Sequence, residues 1–239
     1  MSVYFVADLH MQPERPDISR AFLHFLQTKV RTASALYLLG DIFEAWIGDD
    51  APMPGLDEIF HELKSLSDQG CKIYFQHGNR DFLVGNEFCK LIGATLLPEQ
   101  IKVSLPCGEA LLLHGDQLCT DDIEYQQFRS QIRDPRWISG FLAKPVSERL
   151  ETARQLREAS KARGAEKQAY ITDVNATAVE TVMNQASVKL LIHGHTHRPA
   201  IHSLPDTNTR IVLGDWDTSG WYLEVDTKGY QLIDFPIGS

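Results

Sequence analysis

Val188–His197 reads VKLLIHGHTH: a β-branched and leucine-rich run, Val188–Ile192, followed by three histidines within five positions. An apolar run of this length reads as a fully buried strand. A buried strand that ends in polar, metal-capable side chains delivers those side chains to a site. Gly194, between His193 and His195, lets the backbone turn or approach a neighbour closely. Taken alone, the stretch also reads as a histidine-rich surface loop, because short histidine clusters only hint at metal.

The same pattern recurs along the chain. Val3–Ala7 runs into Asp8-Leu9-His10, and Ala35–Leu39 into Gly40-Asp41. Lys72–Gln76 runs into His77-Gly78-Asn79-Arg80-Asp81, and Ala110–Leu113 into His114-Gly115-Asp116. Layered α/β folds gather their sites at the carboxyl ends of strands. Five strand ends sharing one chemistry point to one common site. The alternative is a set of satisfied core histidines and turn-forming Asp and Asn.

The 239 residues allow one large domain or two small ones, with ample length for a core. A net charge of −9 argues against an electrostatic nucleic-acid binder. The opening MSVYFVADLH has no basic n-region and no small-residue cleavage site, and reads as a strand rather than a signal peptide. No apolar run approaches the ~20 residues of a membrane span. Cys71, Cys89, Cys107 and Cys119 form no CxxC pair, which fits free thiols in a reducing cytosol.

Pro16–Arg31 and Gly55–Gln69 read as helices, the first from its Ile18, Phe22, Phe25, Leu26 stripe. Asn86–Ile92 reads as a short helix ending at Gly93. The loop Phe43–Asp50 is both aromatic and acidic, and reads as a cover packed over the site. Thr95–Leu97, Ile101–Leu105 and Glu109–Leu113 suggest a second sheet with hairpins. Asp122–Lys167 is largely helical. Ala200–Leu204, Arg210–Leu213, Tyr222–Val225 and Tyr230–Phe235 read as an antiparallel tail. The expected fold is α/β: a four-layer αββα sandwich in one domain, 1–239, with a helical lid inserted at 122–168.

Seven side chains are candidate metal ligands: Asp8, His10, Asp41, Asn79, His114, His195 and His197. Carboxylate, amide oxygen and imidazole together suit two divalent transition ions such as Mn²⁺, Fe²⁺ or Zn²⁺. The absence of thiolates argues against a structural zinc site. Two such ions form a clamp for phosphoryl chemistry.

The ordered blocks DLH, GD, GNRD, HGD and GHTH resemble the signature of calcineurin-like metallophosphoesterases. That resemblance implies Asp8, His10, Asp41 and His197 around one metal. It implies Asp41, Asn79, His114 and His195 around the other, with Asp41 bridging. Many members carry histidine where this chain has Arg80. A guanidinium cannot serve as a general acid at neutral pH, but it grips phosphate bidentately.

FEAWIGDD (Phe43–Asp50), HGNRDFL (His77–Leu83), HGD-x-LCTDD (His114–Asp122), Asp173–Asn175 and HGHTHRP (His193–Pro199) are similar to the UDP-2,3-diacylglucosamine pyrophosphohydrolase family of lipid A biosynthesis. The resemblance implies attack of water on the α-phosphorus, giving UMP and 2,3-diacylglucosamine 1-phosphate, with two Mn²⁺ ions. It implies substrate contacts from Asn79, Arg80, Asp122, Tyr125, Ser160, Lys167 and His195. Gly164 stands where that family often has a polar side chain, so no contact is carried over there. Trp46, Phe82, Leu83, Phe128 and Phe141 are candidates for an acyl-chain groove. Residues 122–167 hold ten Lys and Arg against seven Asp and Glu, a +3 segment in an acidic chain. A basic, apolar cap fits a glycolipid-nucleotide and peripheral association with the anionic cytoplasmic face of the inner membrane, here as a monomer. The alternatives are another dinuclear nucleotide pyrophosphatase, for instance on diadenosine polyphosphates, and a non-catalytic scaffold on the same fold.

Overall fold

Each central strand divides its side chains between two apolar layers, and this alternation builds the sandwich. The computed structural model describes residues 2–166 and 173–238. In chain order the elements are β1 (Val3–Val6), α1 (Pro16–Thr28), β2 (Ala35–Leu39), α2 (Asp57–Asp68), β3 (Lys72–Gln76), α3 (Asn86–Ile92), β4 (Ala94–Leu96), β5 (Gln100–Leu105), β6 (Gly108–Leu113), α4 (Ile123–Ile132), α5 (Pro135–Leu142), α6 (Val146–Glu166), α7 (Ala176–Ala186), β7 (Leu190–His193), β8 (Ala200–Ser203), β9 (Thr209–Val212), β10 (Ser219–Asp226) and β11 (Gly229–Pro236).

One sheet runs β11-β10-β1-β2-β3-β4 and the other β5-β6-β7-β9-β8. Val3, Phe5, Tyr37 and Leu39 meet Ala110, Leu112, Leu190 and Ile192 in the layer between the sheets. Alternate residues, Tyr4, Val6, Leu36 and Leu38, face α1, α2 and α3 through Phe22, Phe25, Phe60 and Phe88. Leu111, Leu113 and Leu191 face α7 through Val179 and Met183. The period of two along each strand thus produces three apolar layers and the order helix, sheet, sheet, helix.

The outer helices follow from local chemistry. Pro16 opens α1 with its fixed φ, and Ile18, Phe22, Phe25 and Leu26 form its buried stripe. The helix stops at Thr28, and Val30–Thr32 is a separate 3-10 turn, so the expected end at Arg31 is a few residues long. α7 was not expected from the sequence. Its signals are an Asn175 cap, whose side chain accepts from Ala178 N at 3.1 Å, and the Val179/Met183 pair.

Two strand assignments differ from expectation. β4 pairs parallel with β3 and closes the first sheet rather than joining the second. The tail is not wholly antiparallel: β8 and β9 are an antiparallel pair, but β9 lies parallel to β7. β10 and β11 cross to the first sheet, where β10 runs antiparallel to β1. Consequently β1, β2 and β3 in one sheet, and β6, β7 and β9 in the other, are parallel sets.

Helices α4, α5 and α6 follow β6 in sequence. Asp122 caps α4, accepting from Tyr125 N at 3.0 Å, and Asp134 caps α5, accepting from Arg136 N at 2.8 Å. Among the described residues no helix is long and apolar enough to cross a membrane. The four cysteines form no disulfide among the described residues, and Cys107 alone among them is exposed.

Candidate metal centre

Six strand ends supply the centre. Asp8 and His10 follow β1, Asp41 follows β2, and Asn79 and Arg80 follow β3. His114 follows β6, His195 and His197 follow β7, and Asp215 follows β9. Asp8, His10, Asp41, His195 and His197 all sit at positive φ, between 48° and 68°. Left-handed backbone costs a non-glycine residue about 1–2 kcal/mol, and it persists where the surroundings over-determine it. It turns each side chain back over the strand that carries it. Two glycines make the approach possible. A Cβ on Gly78 would overlap Asp41 Oδ1, and one on Gly194 would overlap Asp8 Oδ2.

The donor atoms fall into two groups that share Asp8: Asp8, His10 and His197, and Asp8, Asp41 and His114. In the first, His197 Nε2 lies 3.4 Å from Asp8 Oδ1 and 3.3 Å from His10 Nε2. In the second, His114 Nε2 lies 3.6 Å from Asp41 Oδ1 and 3.2 Å from Asn79 Oδ1. The other oxygen of Asp41 is 3.9 Å from His10 Nε2, so this carboxylate reaches toward both groups. His195 stands outside both, its ring 5.2 Å from that of His114.

This donor set fits cations. Asp8 is fully buried, and its Oδ1 has no hydrogen-bond partner among the described residues. His10 Nδ1 is 2.9 Å from Glu44 Oε2, and His197 Nδ1 is 3.4 Å from Asp215 Oδ2. A neutral imidazole that donates its Nδ1–H to a carboxylate keeps a lone pair on Nε2. A cation that displaced the proton on His197 would meet the two Nε2 atoms and Asp8 Oδ1 as three converging electron-pair donors. His114 Nδ1 turns instead to the Leu39 carbonyl, at 2.8 Å.

Charge is distributed unevenly among the chain's own groups. Burial works against a proton on His197, but Asp215 and Asp8 outweigh it and push the imidazole up to about 10. Burial, reinforced by His114, pushes His195 down to about 4. Burial would raise Asp8, yet His197, His114 and His10 hold it well below the usual carboxylate range. Asp81 is pushed up to about 6 by burial and by Asp41, against the N–H groups of Gly78 and Ile42 that donate to it.

Beside the Asp–His groups lies a cavity of about 560 Å³. Its lining includes Asn79, Arg80, Asp122, Tyr125 and His195, and also Trp46, Phe82, Leu83, Phe128 and Phe141. The structure therefore brings together these sequence-derived candidates. Ser160 lies on α6 with its side chain outside the described residues, and Lys167 lies outside them altogether. Several candidates also have packing roles. Asp122 caps α4, and Trp46 packs at a tilt against Phe43 and Phe88, with ring centroids 4.6 and 4.5 Å apart. Tyr125 donates to Asp116 Oδ2 at 2.9 Å and lays its ring along that of His195. Arg129 and Arg133 tie α4 to the strand ends, through Asp116 and through the Gly78 carbonyl. His77 bonds the Val84 carbonyl, and His193 contacts the Gly194 carbonyl and Arg210, so both brace loops rather than back a ligand.

Sequence reasoning missed Glu44, Arg157 and Asp215. Glu44 lay inside a loop read as a cover, and Arg157 on a helix whose faces the sequence does not separate. Asp215 did carry a signal. Ile211-Val212-Leu213-Gly214-Asp215 repeats the strand-then-Gly-Asp pattern of Ala35–Asp41.

A family model described as calcineurin-like phosphoesterase matches residues 1–199. The chain belongs to the calcineurin-like phosphoesterases. Membership implies a dinuclear metal centre, and the Asp–His groups of this phosphoesterase can accommodate one. The phosphoesterase is 47% identical over 245 residues to a UDP-2,3-diacylglucosamine hydrolase of Tolumonas auensis, covering 100% of this chain and 99% of that protein. It is 50% identical over 238 residues to the protein of the same name from Pseudomonas putida strain W619, with 98% of each covered. A dimetal phosphatase from Danio rerio superposes with a TM-score of 0.56 at 14% identity, over 100% of this chain and 99% of that one. At that identity the likeness bears on the fold alone.

Proposed function

We propose that this phosphoesterase hydrolyses the pyrophosphate of UDP-2,3-diacylglucosamine, giving UMP and 2,3-diacylglucosamine 1-phosphate in lipid A biosynthesis. The observation that carries this reading is the cavity, whose lining combines His10, Asp41, His195, His197 and Arg80 with aromatic and aliphatic side chains. Such a cavity suits a substrate with a diphosphate at one end and acyl chains at the other. The whole-length similarity to proteins named for that substrate supports the same choice.

Asp8, His10, Asp41 and His197 would hold one divalent cation, and Asp41, Asn79, His114 and His195 the other, Mn²⁺ in both by family resemblance. Bound there, the pair supplies Lewis-acid stabilisation of phosphoryl charge and lowers the pKa of water. Arg80, beside Asn79 at the end of β3, grips a phosphate with its planar fork and neutralises charge as the bridging oxygen leaves with the sugar phosphate. Ser160 and Lys167 take the glucosamine-phosphate side. Asp122, Tyr125 and His195 border the same space, and Tyr125 is held by Asp116. Trp46, Phe82, Leu83, Phe128 and Phe141 shelter acyl chains, and the helices α4–α6 act as the lid over them.

Membrane association belongs to the same proposal. Ile123, Leu142, Val146 and Leu150 are large apolar side chains left exposed on α4, α5 and α6, and α5 and α6 also carry Arg136 and Arg154, each paired with an acidic neighbour. That surface suits peripheral contact with an anionic leaflet at the cytoplasmic side of the inner membrane. A monomeric state is part of the same proposal.

The test is hydrolysis of UDP-2,3-diacylglucosamine beside UDP-N-acetylglucosamine and diadenosine tetraphosphate, with Mn²⁺ and detergent, in ¹⁸O-labelled water. Label in UMP and strong preference for the acylated nucleotide are expected. Equal hydrolysis of the unacylated nucleotides would keep the phosphoesterase centre and remove the lipid substrate.

A further inference from the structure

The two donor groups are backed differently. In the first, both imidazoles face carboxylates: His10 Nδ1 hydrogen-bonds Glu44 at 2.9 Å, and His197 Nδ1 lies within ion-pair distance of Asp215, at 3.4 Å. In the second, His114 leans on a neutral carbonyl, that of Leu39. A carboxylate behind a ligating imidazole fixes its tautomer and makes it a stronger electron-pair donor.

Both carboxylates are held in place. Glu44 is 7% exposed, and its other oxygen lies 3.7 Å from Arg157 Nη1 on α6, which favours its ionised form. Asp215 is bracketed by backbone bonds to the two strands that carry its neighbours. Leu213 N donates to the His193 carbonyl at 2.8 Å, and Trp216 N donates to the Asp8 carbonyl at 3.0 Å. Trp216 is itself buried, with its indole N–H on the Trp221 carbonyl, and Arg15 anchors Asp217. Asp215 lies beyond the stretch that the family model matches.

We propose that Glu44 and Asp215 are positioning residues that make the Asp8–His10–His197 side the tighter of two divalent-cation sites, so that the chain fills its sites in a fixed order. The inference rests on the dinuclear reading of the centre. Neither carboxylate need touch substrate. Each acts by orienting an imidazole and strengthening its donor nitrogen.

The experiment is Mn²⁺ titration of the metal-free full chain, with unbound ion followed by its electron paramagnetic resonance signal. It compares wild type with Glu44→Gln, Asp215→Asn and Asn79→Ala. Wild type is expected to bind two ions with separable affinities. Glu44→Gln and Asp215→Asn should each weaken the first ion by about 10–100-fold and leave the second within a few-fold. Asn79→Ala should do the reverse. Circular dichroism and melting of the metal-free proteins check that the variants fold, and the two carboxylates come from separate elements, so failure of one variant to fold leaves the other. A structural defect would lower both affinities together. Equal affinities in wild type, or loss of both ions or neither in the two carboxylate variants, would overturn the inference while leaving the dinuclear reading intact. Stoichiometric binding of fewer than two ions by wild type would overturn both.

Discussion

Asp81 is fully buried and accepts N–H bonds from Gly78 at 2.8 Å, Ile42 at 2.8 Å and Asp41 at 3.2 Å. It therefore fixes the backbone on either side of the Asp41 carboxylate from a strand away. Asp81→Ala leaves buried donors without an acceptor, each costing about 1–3 kcal/mol. Urea denaturation should show a loss of about 3 kcal/mol or more, and unchanged stability would mean the donors find other partners. Gly78→Ala acts on the same residue by displacement, because the new Cβ overlaps both Asp41 Oδ1 and the Asp41 backbone nitrogen. A shift of about 1 Å at a reacting site costs roughly 100-fold in rate, so kcat should fall by that order with the fold retained. His114→Ala, which removes a donor outright, should fall further and show reduced Mn²⁺ stoichiometry by metal analysis. The seven candidate ligands were legible because each follows an apolar run within a few residues. Asp81 and Glu44 were not, since their partners are backbone amides and an imidazole supplied by other strands. Asp215 was hidden for another reason: the strand before it was assigned to an antiparallel tail, which would aim its end away from the site.

At the scale of elements, the link between α6 and the Phe43–Asp50 loop decides how the helical segment sits. Arg149 is 2% exposed, donates to the Ile47 carbonyl at 2.7 Å and forms a two-pronged pair with Asp50. That loop also carries Glu44 and Trp46, so one guanidinium joins α6 to both a wall of the cavity and the backing of His10. Arg149→Ala frees the Ile47 carbonyl and loosens the loop from α6. It should cost about 1–3 kcal/mol by denaturation, the lower part of the range because Asp50 is largely exposed. It should also raise KM for acylated substrate several-fold while metal content and turnover of bis-p-nitrophenyl phosphate change little. Equal loss on both substrates would mean that α6 supports the centre rather than the acyl end. The helices α1, α2 and α3 were readable from their own stripes and stops. β4 and β9 were placed in the wrong company because pairing is decided by the partner strand, and a strand's own residues encode only that it is extended and buried. α7 was overlooked because its apolar face is short and adjoins an irregular stretch.

For the whole molecule, the sandwich gathers the ends of parallel strands from two sheets along one rim, and with them Asp8, Asp41 and Asp81, all buried. Burying like charges beside five left-handed candidate ligands is a local conflict in an otherwise consistent fold, as functional sites often are. Divalent cations would resolve it, and because the donors come from both sheets, bound ions would tie the sheets together at that rim. A ligand that binds only the native state at 100 times its Kd stabilises it by about 2.7 kcal/mol. For a chain of this size each kcal/mol moves Tm by roughly 2–4 °C. Thermal unfolding in EDTA should therefore begin about 5–10 °C lower per ion lost than in saturating Mn²⁺, and added Mn²⁺ should restore it. Mg²⁺ should restore less at equal concentration, since imidazole-rich donors suit transition ions better than a cation that prefers oxygen. The same comparison in His10→Ala should retain only part of the Mn²⁺ shift. A melting temperature indifferent to EDTA would mean that the rim is stable without cations, and that its left-handed ligand residues are held by the sheets alone.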